Sequence, residues 1–305
     1  MRTKIRKNKL NKTRKKMKKK NCSPYGEDVK IDEDTCLSGE VIQKIKKSFN
    51  SNHPEKRIKY KSTKKIMERL KEEKPQCESD VCWLGEIKDD NVKKVIMNKF
   101  YAPKKPNEWK NNPDEWLSNY DILDVLKQYE EKYKNFKFIG PTPIDFDSKD
   151  MYNDEKCVWN ELCKINMKEL LKNGKEKIGI IFNLAKQGEA GTHWVSLFID
   201  VNRRYILYFD SNGEKCPEEI EKLIRRIKQQ LKEMNKLIKV YYNRLEHQRS
   251  NTECGMYSLY LIITLLTEEI GNKKIKTTDK LISHFTKKRI PDNLVFEYRN
   301  IYYNE

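Results

Sequence analysis

Several absences bound the reading of this 305-residue chain. No stretch of about 18 apolar residues occurs, so no membrane-spanning helix is predicted. The N-terminus carries charge without an apolar core, so it does not read as a secretory signal. Glycine (11), proline (10) and cysteine (8) are sparse, which excludes collagen-like, mucin-like and disulfide-knot chains. No CxxC or HxxxH pair is present, and a zinc site is not expected. With no export signal, the cysteines are expected to be reduced thiols. No internal repeat is visible.

Positive charge is abundant: Lys and Arg number 64 against 46 Asp and Glu, a formal net charge of +18. Residues 1–20 hold twelve of those bases and no acid. Met1, Ile5, Leu10 and Met17 are too few to offset the entropy of ordering that segment, so 1–21 is expected to be a disordered basic tail. Two readings of it stand. It is an electrostatic handle for nucleic acid, an anionic surface or an import receptor, or it is simply a solvated tail.

Apolar periodicity then divides the chain. Helices are predicted over 37–50 and 61–74. Prolines punctuate the stretch beyond them, and 22–104 reads as a helical N-terminal region or arm with a thin core. A helix is expected over 119–135. Strands are expected at Lys177–Leu184, Thr192–Asp200, Arg204–Asp210 and Ile238–Tyr242. Pro217–Leu237 reads as a basic amphipathic helix. Glu253–Ile270 is apolar almost all round and is expected to be a buried central helix. A last helix is expected over 277–288.

These elements bring four chemistry-bearing residues into view. His193 begins one predicted strand and Asp210 ends the next. Pairing them centres the hairpin turn between Val201 and Asn202, among residues with turn chemistry, and places their Cβ atoms about 5 Å apart. A carboxylate there fixes the imidazole tautomer and stabilises the imidazolium. Cys254 opens the apolar helix, where unpaired N–H groups and the dipole favour a thiolate. Gly255 lacks a Cβ and leaves room for a substrate backbone. Gln248 could join the Cys254 backbone N–H in an oxyanion hole. Trp194 reads as a packing residue at the edge of the substrate cleft, within reach of an aromatic contact to the His193 ring. His247 has two readings, the site rim or the surface, and His284 reads as structural. Each residue alone has an ordinary packing explanation; their order, hairpin arithmetic and helix start point to one constellation.

That constellation resembles the Ulp1/adenain class of cysteine proteases. The matching stretches are His193-Trp194, Tyr208-Phe209-Asp210-Ser211, Gln248, and Glu253-Cys254-Gly255-Met256-Tyr257. Trp116-Leu117-Ser118-Asn119-Tyr120-Asp121-Ile122 resembles the segment opening the family's catalytic domain. Glu253 stands where many members have Asp. Phe138–Phe146 and Cys82-Trp83-Leu84 are similar to segments in proteases of nucleocytoplasmic large DNA viruses of the African swine fever and mimivirus groups.

The resemblance implies an α+β papain-like fold, a central antiparallel sheet packed on the helix bearing the nucleophile, with the peptidase domain over 105–305. It implies a thiol endopeptidase in which Cys254 attacks, His193 moves the proton, Asp210 orients His193 and Gln248 stabilises the oxyanion. It implies processing of viral structural precursors during virion maturation, with Gly-Gly-Xaa-like sites, in the virion and the host cytoplasm. The alternatives are a deconjugase of SUMO or ubiquitin-like modifiers and, from another class, a basic nucleic-acid-binding structural protein. No metal or organic cofactor is expected.

Overall fold

The computed structural model describes residues 21–150, 153–271 and 273–304. All but the last residue of the expected tail 1–21 lies outside them. The chain divides into two compact units. Of the described residues, one unit holds Gly26–Tyr101 with Asn21 and Cys22; the other holds those from Ala102 to Asn304 with Ser23–Tyr25.

The first unit is helical. Ser38 and Asp89 cap the helices Gly39–Asn52 and Asp90–Phe100 through side-chain oxygens that accept backbone N–H bonds, and Thr63–Glu73 forms a third helix. Ile42, Ile45, Phe49, Ile66 and Leu70 fall at helical spacing and are buried. The core is thicker than expected because a 3-10 segment, Asp80–Glu86, adds Trp83 and Leu84. Its three-residue repeat leaves no amphipathic pattern to read. Buried Asp80 accepts hydrogen bonds from Thr35 Oγ1, the Cys36 backbone N–H and Tyr101 Oη.

Six of the cysteines expected to be free are paired: Cys22–Cys36, Cys77–Cys82 and Cys157–Cys163. Their Cα atoms lie 5.2, 5.5 and 6.4 Å apart, within bonding reach. Cysteine spacing along the chain does not report that proximity. Cys216 and Cys254 remain as buried free thiols.

The second unit is built on a five-stranded sheet. Its strands are β1 (Phe136–Pro143), β2 (Lys177–Asn183), β3 (Trp194–Asp200), β4 (Tyr205–Phe209) and β5 (Lys239–Tyr242), hydrogen-bonded in that order. The centre is antiparallel, as expected. The edges are not: β1 runs parallel to β2, and β5 parallel to β4. Strand β1 has no counterpart in the predicted elements, because Gly140, Pro141 and Pro143 read as breakers.

Alternation along the strands sorts the core into two layers. Trp194, Phe198, Tyr205, Leu207 and Phe209 face the helix Cys254–Thr267. Val195, Leu197, Ile199, Ile206 and Tyr208 face the helix Glu218–Glu233, whose Ile220, Leu223, Ile224, Ile227 and Leu231 are buried. The helix Cys254–Thr267 is apolar on all sides because it lies between the sheet and the helices Asn119–Lys132 and Thr278–Thr286. Gly179 on β2 permits that approach, since a Cβ there would meet Ile262 at 3.0 Å and Phe136 at 3.1 Å.

Candidate active site

The β3–β4 hairpin sets the site, with a register two residues from the expected one. Asp200 pairs with Tyr205 and Ser196 with Phe209, which centres the turn between Asn202 and Arg203. Asp200 accepts from the Arg203 N–H, and Arg204 adopts the left-handed conformation at φ 59°. The longer turn places Asp210 opposite Val195 rather than His193. A shift of two preserves side-chain parity, so the pair still meets diagonally just beyond the strand ends.

His193 Nε2 lies 2.7 Å from Asp210 Oδ1. Asp210 is buried, and the same oxygen accepts the Asn212 N–H at 2.9 Å. The ring also interacts with the Cys254 side chain. Burial of the ring opposes its charge; the hydrogen bond to Asp210 and its carboxylate charge, with the Cys254 side chain beside the ring, outweigh it and push the His193 pKa up to about 9. Cys254 is buried and is the first residue of its helix, after Glu253 at the cap. Three predicted residues therefore form one connected chain, carboxylate to imidazole to thiol.

Gln248 is buried beside the step that follows Asp210. Its Oε1 accepts from Ser211 Oγ at 2.9 Å and its Nε2 donates to Ser250 O at 2.7 Å. One amide proton of Gln248 is thus engaged and the orientation of the amide is set by Ser211.

The match to a sequence-family model decides the classification. Residues 89–293 match the C-terminal catalytic domain of the Ulp1 protease family. The chain belongs to the Ulp1 protease family.

Its relatives in this cysteine-protease family include viral proteins. The candidate thiol protease R355 of Acanthamoeba polyphaga mimivirus is 35% identical over 187 residues, 61% of this chain and 56% of R355. The chain thus spans just over half of that relative. A cysteine protease of African swine fever virus is 26% identical over 257 residues, covering 78% of this chain and 88% of the relative. The crystal structure of an African swine fever virus protease superposes with a TM-score of 0.61 at 22% identity, over 94% of this chain and 97% of that one. This likeness is one of fold.

Of the other sequence-derived residues of this Ulp1-family domain, Trp194 and His284 pack as expected, and Gly255 and His247 depart from their expected places. Trp194 is buried, and its Nε1 donates to the Leu117 carbonyl at 3.1 Å. Gly255 is also buried; a Cβ there would meet Leu117 Cβ at 3.0 Å and Trp194 Cδ1 at 3.2 Å. The space beside Gly255 is therefore filled by these two side chains and not left open for a substrate backbone. Neither reading of His247 holds. It is buried with Nδ1 accepting from the Ile290 N–H and Nε2 donating to the Phe285 carbonyl, and burial lowers its pKa. His284 is structural, paired with Tyr260 Oη at 2.9 Å.

Three supporting residues had no role assigned from the sequence. Asn243 is buried and donates to the Asp210 carbonyl at 2.5 Å, fixing the backbone beneath the acid. Ser211 carries the contact to Gln248. Arg299, almost fully buried, grips both carboxylate oxygens of Glu253 at 2.9 and 3.1 Å. It also donates to the Pro113 and Glu115 carbonyls and lies 4.3 Å from the Trp109 ring centroid. The Glu253 substitution noted in the sequence thus has a partner 46 residues on. No local spacing could have revealed it.

Proposed function

We propose that the chain is a thiol endopeptidase acting through an acyl-enzyme at Cys254, on viral structural precursors during virion maturation. The chain Asp210–His193–Cys254, with its short Nε2–Oδ1 contact, carries this reading. With Nε2 committed to Asp210, the other ring nitrogen is left for the thiol. His193, its pKa raised, holds the proton taken from the thiol as an imidazolium, and the sulfur attacks the scissile carbonyl carbon. The carbonyl electrons move onto oxygen, where the Cys254 N–H at the helix start and the Gln248 amide supply donors. On collapse, the imidazolium gives its proton to the leaving amine and a thioester remains. Water then attacks, losing its proton to His193, and the thiol is restored.

Viral relatives among the comparisons support the precursor substrate. Cleavage after a small-residue Gly-Gly-Xaa motif, and residence in the virion and host cytoplasm, extend the same reading. One African swine fever virus relative is named a SUMO-1 cysteine protease, which keeps modifier deconjugation as the second reading. Mass spectrometry of virion precursors and of a SUMO fusion, each incubated with wild type and with Cys254→Ala, tests both. Precursor fragments produced only by wild type support the proposal. Cleavage of the fusion alone replaces it, and fragments unchanged in Cys254→Ala reject the nucleophile.

A further inference from the structure

The helix Glu218–Glu233 segregates its charge. Its acids Glu218, Glu219 and Glu221 lie in the first turn. Beyond them its exposed side presents Arg225, Lys228 and Lys232, followed by Lys236. These positions are spaced three, four and four apart, so they form one stripe down the helix and the turn that ends it. The single later acid of the helix, Glu233, accepts from Gln229 at 2.9 Å. Among the described residues, no ion pair involves any of the four cations. The stripe borders a groove of about 340 Å³ whose lining includes Leu237 and Ile238. Leu237 is 72% exposed, a high value for a leucine beside uncompensated cations.

This groove is remote from the catalytic chain. Strand β4 leads from the hairpin turn to Asp210, and the helix returns toward the turn. The Lys239 N–H donates to the Arg204 carbonyl, at the far end of β4. The groove end of the helix and Asp210 are therefore separated by roughly 17 Å of strand.

We propose that this groove is a docking site for an acidic peptide segment that carries an apolar side chain between its carboxylates. Four aligned cations match a line of carboxylates, and the apolar Leu237 and Ile238 beside them match an aliphatic side chain. Groove-lining aromatics, which would stack nucleic-acid bases, are missing from the described lining. Charge complementarity at exposed positions contributes modestly per pair and weakens with salt. The apolar contact supplies the selectivity that charge lacks. A protein held here has its cleavable segment at raised local concentration.

The test uses the full chain carrying Cys254→Ala, so that no probe is cleaved and the outcome does not depend on proteolysis. Fluorescence anisotropy follows a short labelled peptide of repeated Glu-Glu-Leu at low salt. Lys228→Glu with Lys232→Glu is expected to weaken binding about tenfold or more. Leu237→Ser is expected to weaken it about threefold to fivefold, and to abolish the preference for Glu-Glu-Leu over Glu-Glu-Ser. Residues 1–20 contribute a background common to all variants. Binding unaltered in the charge variant would place the peptide elsewhere and overturn the proposal. So would tighter binding of a single-stranded oligonucleotide that competes for the stripe and ignores Leu237→Ser.

Discussion

Ser211 Oγ donates to Gln248 Oε1 at 2.9 Å, one residue after the acid that holds His193. Both His247 N–H and Gln248 N–H return to the Ser211 carbonyl. The Asp210–Ser211 step therefore orients the imidazole with one residue and the amide with the next. Ser211→Ala should lower kcat about tenfold with little change in KM, and Ser211→Thr should restore part of it. Gln248→Ala should lose about 10²–10³-fold if its amide meets the oxyanion. Steady-state kinetics on one peptide substrate compares the three variants.

The pH profile follows from the His193 pKa of about 9. Activity that uses the imidazolium should fall as pH rises through that value. Asp210→Asn removes a major charge holding the ring protonated, so its alkaline limb should move to lower pH. The stability sign agrees: a raised His contributes fully below its unfolded pKa of about 6.5, and loses that contribution as pH rises through the folded value. Plots of kcat/KM and of urea midpoint against pH check both statements.

Thiol accounting separates the nucleophile from the other cysteines. Without reductant, only Cys216 and Cys254 are free. Burial pushes the Cys216 thiol well up, so it should label slowly. Iodoacetamide followed by peptide mapping should find one fast site, lost in Cys254→Ala. Fast labelling spread over the six paired cysteines would show that the three bridges are not formed.

Arg299→Ala should destabilise by about 3–5 kcal/mol, because it strands the buried Glu253 carboxylate. Glu253 already has its pKa raised by burial, which Arg299 opposes. Adding Glu253→Gln to Arg299→Ala should recover part of the loss. Denaturant midpoints of the single and double variants measure the coupling.

Gly255→Ala should destabilise by about 1–3 kcal/mol. Its Cβ enters the contact among Leu117, Trp194 and the first turn of the Cys254 helix. Thermal melts of this variant, beside Gly188→Ala at a turn with open space but a positive φ of 82°, separate crowding from backbone strain.

The local patterns of the sequence determined a good deal. The short apolar runs became β2, β3, β4 and β5 within one or two residues of their predicted ends, and the all-apolar run became the buried helix that Cys254 opens. His193, Asp210 and Cys254 could be brought together from turn chemistry and a helix start, because those signals act over a few residues. Even the mistaken hairpin register kept them together, since strand parity repeats every second residue.

The tertiary structure decided everything that depends on partners distant in the chain. It placed β1 at a parallel edge despite its prolines, where the edge tolerates missing donors. It closed three cysteine pairs, filled the space beside Gly255 with Leu117 and Trp194, and gave Glu253 its arginine from the C-terminal segment. Periodicity reports which face of an element is apolar; it does not report which side chain, tens or hundreds of residues away, will cover that face. Those choices arise only when close packing and the pairing of buried polar groups are satisfied together.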